Sequence, residues 1–315
     1  MKNSKLSQTF RTSVPVHIYQ HSIDWGIIFY DDVYIIAHFL KLCCLAEKYQ
    51  IKVFGMCYML NHIHYLVASQ TIENLRLFMQ TLTSSFALEY NKYTEHRGSV
   101  FASPFGYAVK NKSKAFRSCH NYIANNAPEK NIVRKAIDYK WNFLEFSKTN
   151  HPYSNRIIQK YCSKDFRLFY KEIQTLHDKN IEIKMRRLRH IKNCLDKSEW
   201  LQYVDSLIST YNVIDFESSA SVFGGLDSML SAPDDNTGSE YEFNEDTFNY
   251  IPFYRYLTIL SNRMILCNFS PYALEKQKLK ELVNEMKNRT QCTIKHLSLF
   301  FHLDEMEIIE LLSNQ

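Results

Sequence analysis

Residues 51–59 (IKVFGMCYM) and 62–68 (HIHYLVA) are two runs rich in β-branched and aromatic side chains, separated only by Leu60-Asn61. Runs of this composition form strands. A connection this short leaves no room for a helical crossover, so the strands pair antiparallel as a hairpin. Side chains two apart on a strand share a face. Ile63, Tyr65 and Val67 therefore face one way, and His62, His64 and Leu66 the other. Two imidazoles side by side on a sheet make half of a metal site. Taken alone, a His-x-His on a strand is more often a polar pair on an exposed face.

The segments around the hairpin extend the pattern. Residues 14–30 read as one or two strands. Asp31-Asp32 caps a helix running to about Tyr49, with Ile35, Phe39, Leu42 and Leu45 at helical spacing. A second helix is predicted from Ile72 to about His96, stopped by Gly98. Residues 99–110 read as a strand made irregular by Pro104 and Gly106. Another helix starts near Ser113 and is expected to end before Pro128. The order strand, helix, strand, strand, helix, strand, helix predicts an α+β domain with an antiparallel sheet, covering residues 1–150. Beyond it we expect a basic helical extension over 151–213, an acidic loop or linker over 214–252, and a helical region over 253–315. Near the end, Ile294–Phe301 and Asp304–Leu312 suggest a helix pair, with Asp304 and Glu307 resembling a capping box. Its second helix is acidic, which argues for packing rather than a groove of DNA.

Charge divides the chain sharply. Residues 1–197 hold 30 Lys or Arg against 15 Asp or Glu, whereas residues 198–254 hold 11 acids and no Lys or Arg. A basic first half points to a polyanion, with nucleic acid the first candidate; the alternative is a solvated lysine-rich surface. With 7 glycines in 315 residues and neither GxGxxG nor GxxxxGK[ST], a glycine-rich phosphate-cradling loop is not expected. No apolar window reaches the ~18 residues of a membrane span. The first residues carry no apolar core after their charges, and the 8 cysteines form no C-x-x-C pair. A cytoplasmic chain without a signal peptide is expected.

A helix later in the chain bears on the histidines. Tyr122 and Asn126 are four apart and share a helix face. An amide oxygen suits Mg²⁺ or Mn²⁺, and a phenol beside a divalent ion can act as a nucleophile. Any single one of 21 tyrosines is nevertheless more often a core aromatic. Tyr90 and Tyr93 are read as such, His120 as a surface residue, and His96 as a helix C-terminal residue.

These residues together resemble a family. Tyr58-Met-Leu-Asn-His-Ile-His-Tyr-Leu-Val67 is similar to the His-hydrophobe-His (HUH) motif of the single-tyrosine HUH transposases, above all those associated with repetitive extragenic palindromes. Gly98-Ser-Val-Phe101 with Phe105, Asn121-Tyr-Ile-x-x-Asn126-x-Pro128 and Tyr139-Lys-Trp141-Asn-Phe143 resemble, in the same order, the family's later strand, its tyrosine-bearing helix and the segment after it. Three departures stand out. Leu60 replaces a usual Pro, Ser103 or Pro104 stands where an Arg precedes the Phe, and Ala127 separates Asn126 from Pro128.

The resemblance implies a ferredoxin-like HUH nuclease domain, an antiparallel sheet with helices on one face. It implies Tyr122 as nucleophile, with His62, His64 and Asn126 as ligands of Mg²⁺ or Mn²⁺. The reaction it implies cleaves and rejoins single-stranded, hairpin-forming DNA through a 5′-phosphotyrosine. Lys110, Lys112, Lys114 and Arg117, with Lys184, Arg186, Arg187 and Arg189, are the expected DNA contacts, on a monomer or homodimer with no membrane partner. A non-catalytic nucleic-acid-binding regulator on the same fold, and a plasmid-type replication or relaxase nuclease, are the other readings.

Overall fold

A computed structural model describes residues 12–102, 105–154, 162–235, 275–290, 292–301 and 303–313. The Ser103-Pro104 departure, residues 236–252 of the expected linker and residues 253–274 lie outside these. Strand β1 is Val16–His21, followed by helix α1 over Asp32–Tyr49. Asp31 caps α1 by accepting from the Val33 N–H, and Gln50 ends it in the left-handed region at φ 54°. Strands β2 (Ile51–Tyr58) and β3 (His62–Ser69) form the expected hairpin, closed by Met59 N–H donating to the His62 carbonyl. Helix α2 spans Ile72–Thr94, capped by Thr71. Glu95, at φ 60°, ends it before Gly98 is reached. Strand β4 is short, Gly106–Val109, and helix α3 runs over Ser113–Glu129. Pro128 lies inside the last turn of α3 rather than beyond it. There its missing N–H forfeits a single hydrogen bond.

The sheet order is β2-β3-β1-β4, and every neighbouring pair is antiparallel. With the order of elements β1-α1-β2-β3-α2-β4, this is the ferredoxin-like arrangement, an α+β fold followed by a mostly helical C-terminal region. Val16, Ile18, Ile63, Tyr65 and Val67 join the apolar residues of α1 and α2 in one core. The other face is covered too. Phe54, Cys57, Leu66 and Ala68 pack against Phe116, Cys119, Tyr122 and Ile123 of α3. Helices therefore cover both faces of the sheet, which corrects the one-sided expectation.

The extension adds α4 (Lys164–His177), α5 (Met185–Cys194) and α6 (Lys197–Tyr211), whose apolar residues share the core of α1 and α2. The chain then returns to the sheet. Ile214 bridges to Val53, and Asp215 N–H donates to the Val53 carbonyl, closing the β2 edge. Residues 216–235, expected as loop, form α7 (Phe216–Phe223) and α8 (Leu226–Asp235). Their acidic residues stay outside, while Met229 and Leu230 pack on Ala124 of α3. An apolar face meeting an unfilled helix surface outweighed the Ser- and Gly-rich composition. Last come α9 (Lys276–Arg289), α10 (Ile294–Phe301) and α11 (Glu305–Ser313). Asp304 and Glu307 each accept from the other's backbone N–H, the expected reciprocal cap. Among the described residues no helix is long and apolar enough to cross a membrane.

Candidate active site

Strand register sets the site. In β1, His17, Tyr19 and His21 stand opposite Leu66, His64 and His62 of β3, on the same sheet face. Helix α3 lies over that face. The Tyr122 ring meets His64 edge-on at 5.4 Å and His17 at 5.7 Å. Asn126, one turn further on, donates its Nδ2 hydrogens to the carbonyls of Tyr122 at 3.0 Å and Ile123 at 3.4 Å. That leaves its Oδ1 end as the acceptor, and the Asn126 side chain also hydrogen-bonds His64. His62, His64, Tyr122 and Asn126, paired on the sequence by spacing alone, thus gather within one buried cluster.

The imidazoles are held neutral. Burial, then the neighbouring His62 and His17 rings, push His64 well below the ordinary histidine value, against the hydrogen bond with Asn126. Burial, with the Lys110 ammonium second, pushes His17 down to about 3. A neutral imidazole keeps the lone pair that a metal needs. Nδ1 of His62 lies 2.8 Å from Asn61 Oδ1, so it is the protonated nitrogen. Nδ1 of His64 lies 3.0 Å from His17 Nε2. In both rings Nδ1 takes the outer hydrogen bond, so Nε2 is the nitrogen that would bind a metal, an arrangement typical of metal-binding histidines. Among the described residues no group of three His, Cys, Asp or Glu side chains could hold a metal. A third protein ligand here would be an amide oxygen, that of Asn126, and such a two-nitrogen, one-oxygen set would suit a divalent ion.

Residues 28–126 match the family model described as "Transposase IS200 like". Over this segment, about a third of the chain, the protein is similar to the IS200-like transposases. The matched residues include all of β2, β3 and the part of α3 that carries Tyr122 and Asn126, but not β1. A solved structure of a REP-associated tyrosine transposase bound to a REP hairpin aligns with 45% of this chain and 82% of its own, at 10% identity and a TM-score of 0.36. No curated protein matches the chain.

Two contributors to this candidate site escaped the sequence reading. His17 left a signal, since Val-His-Ile-Tyr-Gln-His over 16–21 alternates apolar and polar as a half-polar strand does. Asn61 was legible only as a turn residue. His120, expected on the surface, is buried between Phe116 and Phe223, and burial lowers it to about 4. Helix α3 has a second cover on this side. Asn125 donates to the Pro233 carbonyl at 2.9 Å, and Arg117 donates to the Val222 carbonyl at 3.2 Å.

The expected DNA contacts divide. Lys112, Lys114 and Arg117 are exposed at the start of α3, and Arg186 is exposed on α5. Lys110 is buried, beside His17. Arg189 is buried too, donating to Asp31 at 3.1 Å and to the Tyr93 hydroxyl at 3.1 Å. Arg187 makes a two-pronged pair with Glu172, and Lys184 pairs with Glu182 and Glu89. The expectation is therefore corrected at Lys110 and Arg189, which burial removes from the surface, while Lys184 and Arg187 stay partly exposed beside their carboxylates.

Proposed function

We propose that this chain is a transposase that cleaves and rejoins single-stranded DNA through Tyr122. The observation that carries the reading is the packing of the Tyr122 ring against His64 and His17, with Asn126 on the next turn of the same helix. His62, His64 and Asn126 would hold a Mg²⁺ or Mn²⁺ ion. Such an ion supplies positive charge to the non-bridging phosphate oxygens as the phosphorus is attacked. The Tyr122 oxygen attacks phosphorus and gives up its proton. The 3′-oxygen of the upstream strand leaves and is protonated. The products are a 5′-phosphotyrosine and a free 3′-OH. Because the phosphodiester energy is kept in the tyrosyl ester, a second 3′-OH can displace Tyr122 and complete strand transfer.

His17 orients His64 through the Nε2···Nδ1 hydrogen bond, and Asn61 does the same for His62. Tyr122 is 8% exposed and His64 2%, so a phosphate gains entry when α3 lifts from the sheet together with its α7–α8 cover. Lys112, Lys114, Arg117 and Arg186 are the side chains offered to the DNA backbone. The deciding experiment incubates labelled single-stranded, hairpin-forming DNA with the full chain and Mn²⁺, then looks for label on denatured protein. The expected outcome is a covalent adduct on a Tyr122 peptide that disappears in Tyr122→Phe. An adduct persisting in Tyr122→Phe removes the assignment. Binding that survives EDTA, with no cleavage under any metal, favours a non-catalytic DNA-binding regulator.

A further inference from the structure

Between β1 and α1 the chain makes a turn with two adjacent residues in the left-handed region, Asp24 at φ 50° and Trp25 at φ 57°. Neither is glycine, and one such residue is already uncommon. The turn is pinned from several sides. Ser22 N–H donates to the Asn61 carbonyl at 2.8 Å, and the Ser22 hydroxyl donates to the Gly26 carbonyl. Ile23 N–H donates to the Val100 carbonyl at 3.0 Å, and Asn61 Nδ2 donates to the Trp25 carbonyl at 3.0 Å. Strain held this firmly marks a conformation the surroundings enforce.

What the strain achieves is the pose of one large ring. The Trp25 indole is half-buried and lies flat on His21, with centroids 4.2 Å apart and planes 6° apart. It also meets His62 edge-on at 6.1 Å. Ile23 beside it is 37% exposed. Asn61 links the turn to the site, since its Nδ2 holds Trp25 while its Oδ1 receives the His62 Nδ1 hydrogen. A flat, partly exposed aromatic beside the reacting centre is what an unpaired base stacks on, and such stacking tolerates any base.

We propose that Trp25, backed by His21, is a stacking platform for the unpaired nucleobase next to the scissile phosphate. Trp25 positions the strand so that the adjoining phosphate lies by His62. It is a positioning residue, and the inference rests on the single-stranded-DNA reading above.

The test uses the full chain, fluorescein-labelled dT20 and an abasic strand of equal length, with anisotropy read across a salt series. Trp25→Ala is expected to weaken dT20 binding about tenfold. Abasic binding and the salt slope stay as in the parent chain, and Trp25→Phe recovers most of the loss. Equal dT20 affinity in parent and Trp25→Ala overturns the platform alone, as does an equal loss for both strands. Failure of the parent chain to bind dT20 overturns this inference, whereas the single-stranded-DNA reading stands or falls with the Tyr122 adduct on hairpin-forming DNA. A second measurement needs no variant. Photocrosslinking of an oligonucleotide carrying 5-iododeoxyuridine is expected to label the Trp25 peptide, and label confined to other peptides overturns the proposal.

Discussion

On one face of β3, Ile63, Tyr65 and Val67 enter a core with Phe39, Phe78 and Phe86; on the other, His62 and His64 meet His17, Tyr122 and Asn126. Both faces are buried, so exposure does not separate them. Each also contains an imidazole pushed down by burial, and these differ in their company. His38, on the first face, points Nδ1 at the Tyr58 hydroxyl at 2.9 Å and packs its ring on Phe86 at 4.7 Å. It is a satisfied core histidine held at about 3 by burial and the Lys41 charge. His64 is packed among other titratable and amide groups. A buried polar cluster is costly to keep. That cost, set beside an apolar core on the opposite face, is the reason the proposed chemistry is placed on this face.

The comparison breaks most visibly at Phe86. Phe86→Ala should cost about 3–5 kcal/mol in urea unfolding, because it opens a cavity beneath His38 and Phe29. Adduct formation per folded molecule should stay at the parent level. A matching loss of chemistry would mean the two faces are not separable.

Next is the ion cluster above the apolar face. Arg189→Ala leaves Asp31 buried beside Lys192 alone and should destabilise the chain by about 3 kcal/mol or more. Single-stranded DNA affinity, read at fixed salt, should not change. A drop in affinity would return Arg189 to the DNA surface.

On the chemical face the expected sign is reversed. His17→Ala should lower Mn²⁺ affinity about 10–100-fold in calorimetric titration, since the hydrogen bond that orients His64 is lost. The folding midpoint should move little. The smallest effect per step is acid sensitivity. His17, His38 and His120 are lowered to about 3, 3 and 4, below the ordinary unfolded value of about 6.5. Between pH 6.5 and 4 the unfolded chain therefore binds protons that the folded chain refuses. Stability is fully present above pH 6.5 and falls on acidification, by up to about 1.4 kcal/mol per pH unit for each histidine. His120→Asn should make the urea midpoint fall less steeply between pH 6.5 and 4.5, and an unchanged slope would show that His120 charges freely.

Much of this arrangement could be read along the chain. The hairpin register follows from two strand-forming runs with almost nothing between them, and a period of two puts His62 and His64 on one face. Helical spacing puts Tyr122 and Asn126 on one face of α3. The cap at Asp31 and the reciprocal cap at Asp304 and Glu307 are local hydrogen bonds, so local sequence determines them. The fold class is equally a matter of element order.

Tertiary structure decided what lies opposite what. His17 joins His64 because β1 inserts between β3 and β4, a pairing 47 residues apart in sequence. Arg189 looks like a DNA contact until Asp31, 158 residues earlier, pairs with it. The 216–235 stretch reads as loop until α3 offers it Ala124 and Asn125 as a partner surface. Periodicity reports which side chains share a face of their own element. The counterion, the covering helix and the second-layer hydrogen bond belong to distant segments, and only packing brings them together.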